Sequence, residues 1–139
     1  MRQHQQSLRI ETPGRGLHDV TPAVRDAVRD AGISTGLCLV FCRHTSCSLL
    51  IQENADPSAR HDLEQWLERI APDGAPEYTH TAEGPDDMPS HLRAAVTKTS
   101  ETIPIVDGRL ALGTWQGLFL AEHRVRPHRR ELVIHVTGD

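Results

Sequence analysis

Leu8 and Ile10 alternate with Ser7, Arg9 and Glu11, a period of two that predicts a strand over residues 4–12 with one face in water. The period then lengthens. Val20, Ala23, Val24, Ala27, Val28 and Ala31 recur at three and four, Thr21-Pro22 supplies an N-cap and a first-turn proline, and Gly32 supplies a stop, so a helix follows. Residues 37–42, Leu-Cys-Leu-Val-Phe-Cys, have no polar face, which predicts a strand buried between two layers, with 48–51 as its continuation or partner. Asp56-Pro57 opens a second helix carrying Ala59, Leu63, Trp66, Leu67 and Ile70, closed by Pro72 and Gly74. A short third helix starts near Met88-Pro89 and runs through Leu92, Ala95 and Val96. The remainder reads as β: 103–106 and 109–112 flank Asp107-Gly108, a two-residue hairpin turn, and 117–125 and 131–137 complete the set.

Strands at both ends with about three helices between them predict an α+β fold of antiparallel sheet layers, forming a single domain over residues 1–139. No glycine-rich loop of the nucleotide-binding type is present, which turns the reading away from parallel nucleotide folds.

Composition narrows the function classes. With 37% hydrophobic and 24% charged residues and a mean hydropathy of -0.44, the chain has material for a core and no apolar run of the roughly 20 residues a spanning helix needs. The expected partners therefore exclude a membrane, and the N-terminal stretch lacks the pattern of a signal peptide, so the expected compartment is the cytoplasm. The net charge of -4 gives no field for nucleic acid. Cys38 and Cys42, four residues apart on one strand and so about 13 Å apart, cannot bridge each other. Both are expected as reduced, buried thiols.

The densest polar segment is 78–91, with His80, His91, Glu83, Asp86 and Asp87. If the third helix begins at Met88, Asp87 is its N-cap and His91 lies one turn along, so both reach one point where the helix dipole favours neutral imidazole. Asp87 as a plain cap and the other acids as a solvated loop is the bland alternative. His44-Thr45-Ser46 follows the apolar strand, so the core fixes where the imidazole and hydroxyl point; His44 is either a ligand or base, or a core histidine donating to a backbone carbonyl. Cys47 beside it has no recognisable base. Glu53 and Asn54 precede a helix entry without being needed as its cap, and Asp62 sits at the edge of an apolar helix face, where a carboxylate needs a partner or solvent. Trp115-Gln116 between two glycines suits a flat polar ring or a bulge. The basic run 124–130 reads as phosphate contacts or as a solvated edge.

These segments, taken in order, resemble a known family. His44-Thr45-Ser46, Glu53-Asn54, Asp56-Pro57 with Asp62, Tyr78 with His80, Glu83-Gly84 with Asp86-Asp87-Met88-Pro89 and His91, and the stretch 112–117 (Leu-Gly-Thr-Trp-Gln-Gly) are similar to the motifs of the secondary thiamine-phosphate synthase enzymes of the YjbQ type. Cys47 and Ser90 are departures, standing where alanine is usual. The resemblance implies a YjbQ-like α+β fold, a homotrimer, metal binding at a pocket near the subunit contacts, and a secondary capacity to join a pyrimidine diphosphate to a thiazole phosphate with loss of pyrophosphate.

The combined expectation is a metal-dependent transferase acting on a phosphate-bearing small molecule. A divalent ion, zinc or magnesium, is held by His44, His80 and His91, with Asp87 as ligand or orienter. Asp62 and Glu53 orient ligands or move protons, Ser46 hydrogen-bonds substrate, and Trp115, Gln116 and Arg124 line the pocket. Two alternatives use the same residues: a metal-dependent phosphoester hydrolase, and a non-catalytic module that holds a small heterocycle or a metal.

Overall fold

A computed structural model describes residues 1–139. The elements in chain order are β1 (Arg2–Thr12), β2 (Gly16–Asp19), α1 (Thr21–Ala31), β3 (Gly36–Cys42), β4 (Cys47–Glu53), α2 (Pro57–Ile70), α3 (Asp87–Val96), β5 (Ser100–Val106), β6 (Arg109–Leu110), β7 (Gln116–Glu122) and β8 (His128–Gly138). Every strand pairing is antiparallel, and the strands divide into a five-stranded sheet, β1-β8-β3-β5-β6, and a three-stranded sheet, β2-β7-β4. The expected α+β class with three helices is what the molecule adopts.

Local chemistry explains most element boundaries. Asp56 caps α2 by accepting the Ser58 N–H, and Pro57 occupies the first turn where no N–H is needed. Gly32 ends α1 in the left-handed region, at φ 64°. Asp107 and Gly108 both take positive φ, 50° and 75°, as the tight β5–β6 hairpin requires. Among the strands, β2 is not one of those expected, β6 stops at Leu110 rather than 112 and β7 at Glu122 rather than 125, and two helix starts also differ from expectation. The first residue of α1 is Thr21 rather than its cap, because Thr21 Oγ1 is drawn into bonds with the Leu118 backbone. Likewise α3 starts at Asp87, one residue early, with Asp86 at the N-cap position.

One core joins the inner faces of both sheets to the buried side of α1: Val24, Ala27 and Val28 meet Cys38, Val40, Leu49, Ile103, Leu118, Leu120, Leu132 and Ile134. The opposite face of β7 is covered as well, with Phe119 fully buried and the Arg60 guanidinium of α2 5.5 Å from its ring centroid. The expectation that residues 37–42 are covered on both faces is overturned. In β3 only Cys38, Val40 and Cys42 face the core, while Leu37, Leu39 and Phe41 stand 46%, 36% and 44% exposed on the outer face of the large sheet. An apolar strand in sequence is here an apolar stripe on the surface.

Candidate functional site

Helix α3 begins directly at a carboxylate. Asp87 and His91 are four residues apart, which stacks them on one helical face, and His91 Nε2 lies 3.3 Å from Asp87 Oδ2. The loop before α3 folds back so that His80 Nε2 is 2.8 Å from the same oxygen. The two imidazoles meet edge to face, with centroids 5.3 Å apart. Asp87 is nearly inaccessible, its side chain 3% exposed, whereas His80 is half exposed.

A buried carboxylate is costly unless it is paired. Arg124, just past the end of β7, supplies the pairing: its Nη1 donates to Asp87 Oδ1 at 2.7 Å, its Nε to Asp86 Oδ2 at 3.1 Å, and its Nη2 to the Glu83 carbonyl at 2.9 Å. Asp86 is anchored in turn by the Val125 N–H at 2.9 Å. Burial opposes the charge on Asp87, but its contacts with Glu83 and His80 and the positive fields of His91 and Arg124 outweigh that and hold the carboxyl below the ordinary range. Arg124 thus saturates Oδ1, which leaves Oδ2 turned to the two histidines.

His80, Asp87 and His91 each offer one ligand atom, and the three atoms lie within 4.8 Å of one another. Bonds of about 2.1 Å to a tetrahedral ion put ligand atoms about 3.4 Å apart. The two imidazoles lie 2.8 and 3.3 Å from Asp87 Oδ2 and within 4.8 Å of each other, so closing on an ion draws the histidines together and leaves a fourth position open. Beside His80 lies a cavity of about 360 Å³ lined by Pro76, Tyr78, Thr81, Pro85 and Met88, with no Asp, Glu, Lys or Arg side chain in its wall. The Tyr78 ring is set by its hydroxyl, which donates to the Pro72 carbonyl at 2.9 Å.

The other expected residues do not gather here. His44 lies outside the trio: its Nε2 accepts the Glu131 N–H at 2.8 Å, and burial together with the Arg130 charge lowers its pKa, so it is a neutral imidazole engaged with backbone. Ser46 contributes its carbonyl, which accepts the His123 N–H, rather than its hydroxyl. Glu53 is turned inward on its own loop, where Oε2 accepts the Ala55 and Asp56 N–H groups at 2.8 and 2.7 Å. Asp62 is exposed on α2, the plain solvent-reaching alternative. Trp115 is 64% exposed, and Gln116 Oε1 accepts the Gly113 N–H. Because β4 pairs with β7 from Cys47↔Glu122 to Glu53↔Gln116, the Glu53–Trp115–Gln116 group sits six residues from the Arg124 end of the sheet, about 20 Å away. Arg124 does reach the cluster, but its donors are spent on the protein, so it is a positioning residue for Asp87 rather than a pocket wall.

Sequence reasoning missed a second buried polar group at this end of the small sheet. Arg130, read as part of a basic surface run, is buried in a two-point ion pair with Glu122, whose Oε1 also accepts from Thr12 Oγ1 at 2.6 Å. Next to it His123 is buried with Nε2 2.8 Å from Ser48 Oγ. The one available signal was strand parity: Glu122 and Arg130 each fall in step with core residues of their strands.

Comparison with known proteins agrees with this architecture. Residues 6–139 match the family model described as UPF0047 protein YjbQ-like. The UPF0047 protein sll1880 of Synechocystis is 55% identical over 138 residues, covering 99% of this chain and 94% of its own. The UPF0047 protein YjbQ of Escherichia coli O157:H7 is 38% identical over 137 residues, covering 98% and 99%. Among solved structures, a conserved hypothetical protein of Thermus thermophilus superposes with a TM-score of 0.83 at 36% identity, covering 93% of this chain and 97% of that one.

Proposed function

The chain belongs to the YjbQ-like UPF0047 family, and from that footing we propose that it is a metal-dependent enzyme whose centre is His80, Asp87 and His91. The observation that carries this reading is the convergence of two imidazole nitrogens on one oxygen of a buried carboxylate whose other oxygen is held by an arginine. Arg124 ties the start of α3 to the end of β7, and the carboxylate oxygen it leaves free meets two imidazoles, the donor set and orientation that a metal centre uses.

In this reading His80 Nε2, His91 Nε2 and Asp87 Oδ2 hold the divalent ion, zinc or magnesium. The ion supplies Lewis acidity that offsets negative charge on a phosphate-bearing substrate or leaving group. Arg124 and Asp86 fix the Asp87 carboxylate so that no reorganisation is needed when the ligand set closes. The uncharged slot formed by Tyr78, Met88, Pro76 and Pro85 receives the ring of the substrate, leaving its phosphate toward the histidines. The reaction proposed first is the one the family resemblance suggests: a pyrimidine diphosphate joined to a thiazole phosphate with release of pyrophosphate, as a secondary activity. The apolar stripe Leu37, Leu39 and Phe41 favours self-association, consistent with a homotrimer.

Metal content and thiamine phosphate formation measured on wild type and His91→Ala test the proposal. The expected result is a bound divalent ion and product from wild type and loss of both in the variant; equal metal and equal turnover would end it. The half-exposed His80, open to water, favours phosphoester hydrolysis as the second reading. Product analysis separates the two, because hydrolysis consumes a single organic substrate.

A further inference from the structure

The short turn between β3 and β4 is bracketed by two cysteines. Cys42 is the last residue of β3 in the large sheet, and Cys47 the first of β4 in the small one. Both thiols are free, both residues are 1% exposed, and their Sγ atoms are 3.3 Å apart. A covalent S–S bond is about 2.05 Å, so the pair needs to close by little more than about 1.2 Å. Cys38 is excluded as a partner for Cys42, since it lies four residues up the same strand, about 13 Å along the strand axis.

The pair is also chemically unequal. The hydrogen bond from Cys47, the backbone at His44 and the Arg130 guanidinium pull the Cys42 thiol down, while the shared hydrogen bond and burial push Cys47 up. Cys42 borders an open groove with Phe41, Arg43, His44, Thr45 and Thr99, while its side chain points to the core, so the thiols are reached when the β3–β4 turn opens.

We propose that Cys42 and Cys47 are a dithiol modification site, closing to an intrachain disulfide when a peroxide reaches the β3–β4 turn and reopening in a thiol reductant. The Cys42 thiolate attacks one peroxide oxygen; an S–O bond forms, the O–O bond breaks, and the departing hydroxide takes up a proton as water. The Cys47 sulfur then attacks the Cys42 sulfur; the S–S bond forms, the S–O bond breaks, and hydroxide leaves with the Cys47 proton as a second water. The two thiols lose two electrons, and the peroxide gains them. The new bond joins the two sheets and encloses residues 43–46, the turn whose Ser46 carbonyl accepts from His123 and whose His44 accepts from Glu131.

The test treats the purified full-length protein with hydrogen peroxide, alkylates remaining thiols under denaturing conditions, and maps peptides without reduction. The expected result is an intact mass lighter by two hydrogens, a fall from three titratable thiols to one, a peptide cross-link between Cys42 and Cys47, and reversal by dithiothreitol. The cross-link should persist in Cys38→Ser and vanish in Cys47→Ala. Three surviving thiols, a cross-link that uses Cys38, bonds only between chains, or sulfinic acid at Cys42 without a cross-link would each overturn the proposal. Should Cys47→Ala not fold, the wild-type peptide map decides alone.

Discussion

His123 gives the sharpest handle on the buried polar end of the small sheet. It is 2% exposed, and burial, reinforced by the positive charge of Arg93, drives its pKa from 6.5 down to about 3 against the opposing pull of Glu122. In the native state the imidazole is therefore neutral across the usual pH range, with Nε2 bonded to Ser48 Oγ. The unfolded chain takes up a proton near 6.5, and the native chain does not until about 3. The stability contributed is complete above 6.5 and is lost as pH falls through the interval toward 3, because there the unfolded state binds the extra proton. The slope is about 1.4 kcal/mol per unit, so the loss between pH 7 and pH 5 is about 2 kcal/mol and over the whole interval about 5 kcal/mol. The comparison to make is wild type against His123→Gln, whose amide can still accept from Ser48 but does not titrate. Urea unfolding at pH 7, 6 and 5, at fixed protein concentration, gives the two stability profiles; the other eight histidines titrate in both proteins and cancel in the difference. The variant should be the less stable at pH 7, and the gap should narrow by about 2 kcal/mol by pH 5. A gap that stays constant would refute the buried neutral imidazole.

Two further outcomes follow from the same packing. Glu122→Gln leaves the Arg130 guanidinium buried without its counter-charge and should cost about 3–5 kcal/mol in chemical denaturation, whereas a cost below about 1 kcal/mol would mean that water reaches the pair. Gly36→Ala drives a methyl group into the Thr137 carbonyl oxygen and to 2.9 Å from the Gly138 Cα, both backbone atoms unable to give way, so the β3–β8 pairing should open at its Gly36 end and thermal stability drop steeply; an unchanged melting temperature would contradict that close approach.

How much of this was legible in the sequence depends on how far apart the interacting residues are. The Asp107-Gly108 hairpin and the Asp56 cap were readable because the chemistry that fixes them lies within four residues. The pairing of β1 with β8 joins Arg2 to Gly138, and no local pattern encodes such a register. Nor could the strand 37–42 announce which of its faces the fold leaves uncovered, since Leu39 and Val40 are equally apolar while only Val40 reaches the core.

The candidate site obeys the same rule. Asp87 and His91 were readable as a pair because helical spacing alone brings them together, and His80 is only seven residues ahead of Asp87 on a loop that must return to the helix start. His44 was grouped with them by residue type, but a histidine following a buried strand meets backbone donors of its neighbour strand first, and the Glu131 N–H claims its Nε2. Trp115, Gln116 and Glu53 were grouped by polarity, yet antiparallel pairing of β4 with β7 carries them to the far end of the sheet. The same pairing brings Arg124 in, because the residue just past the β7 end emerges beside the start of α3, where two buried or half-buried aspartates need a cation. The chemistry at Asp87 therefore depends on two scales at once: helix geometry selects the histidine, and sheet topology selects the arginine that keeps one carboxylate oxygen turned toward it.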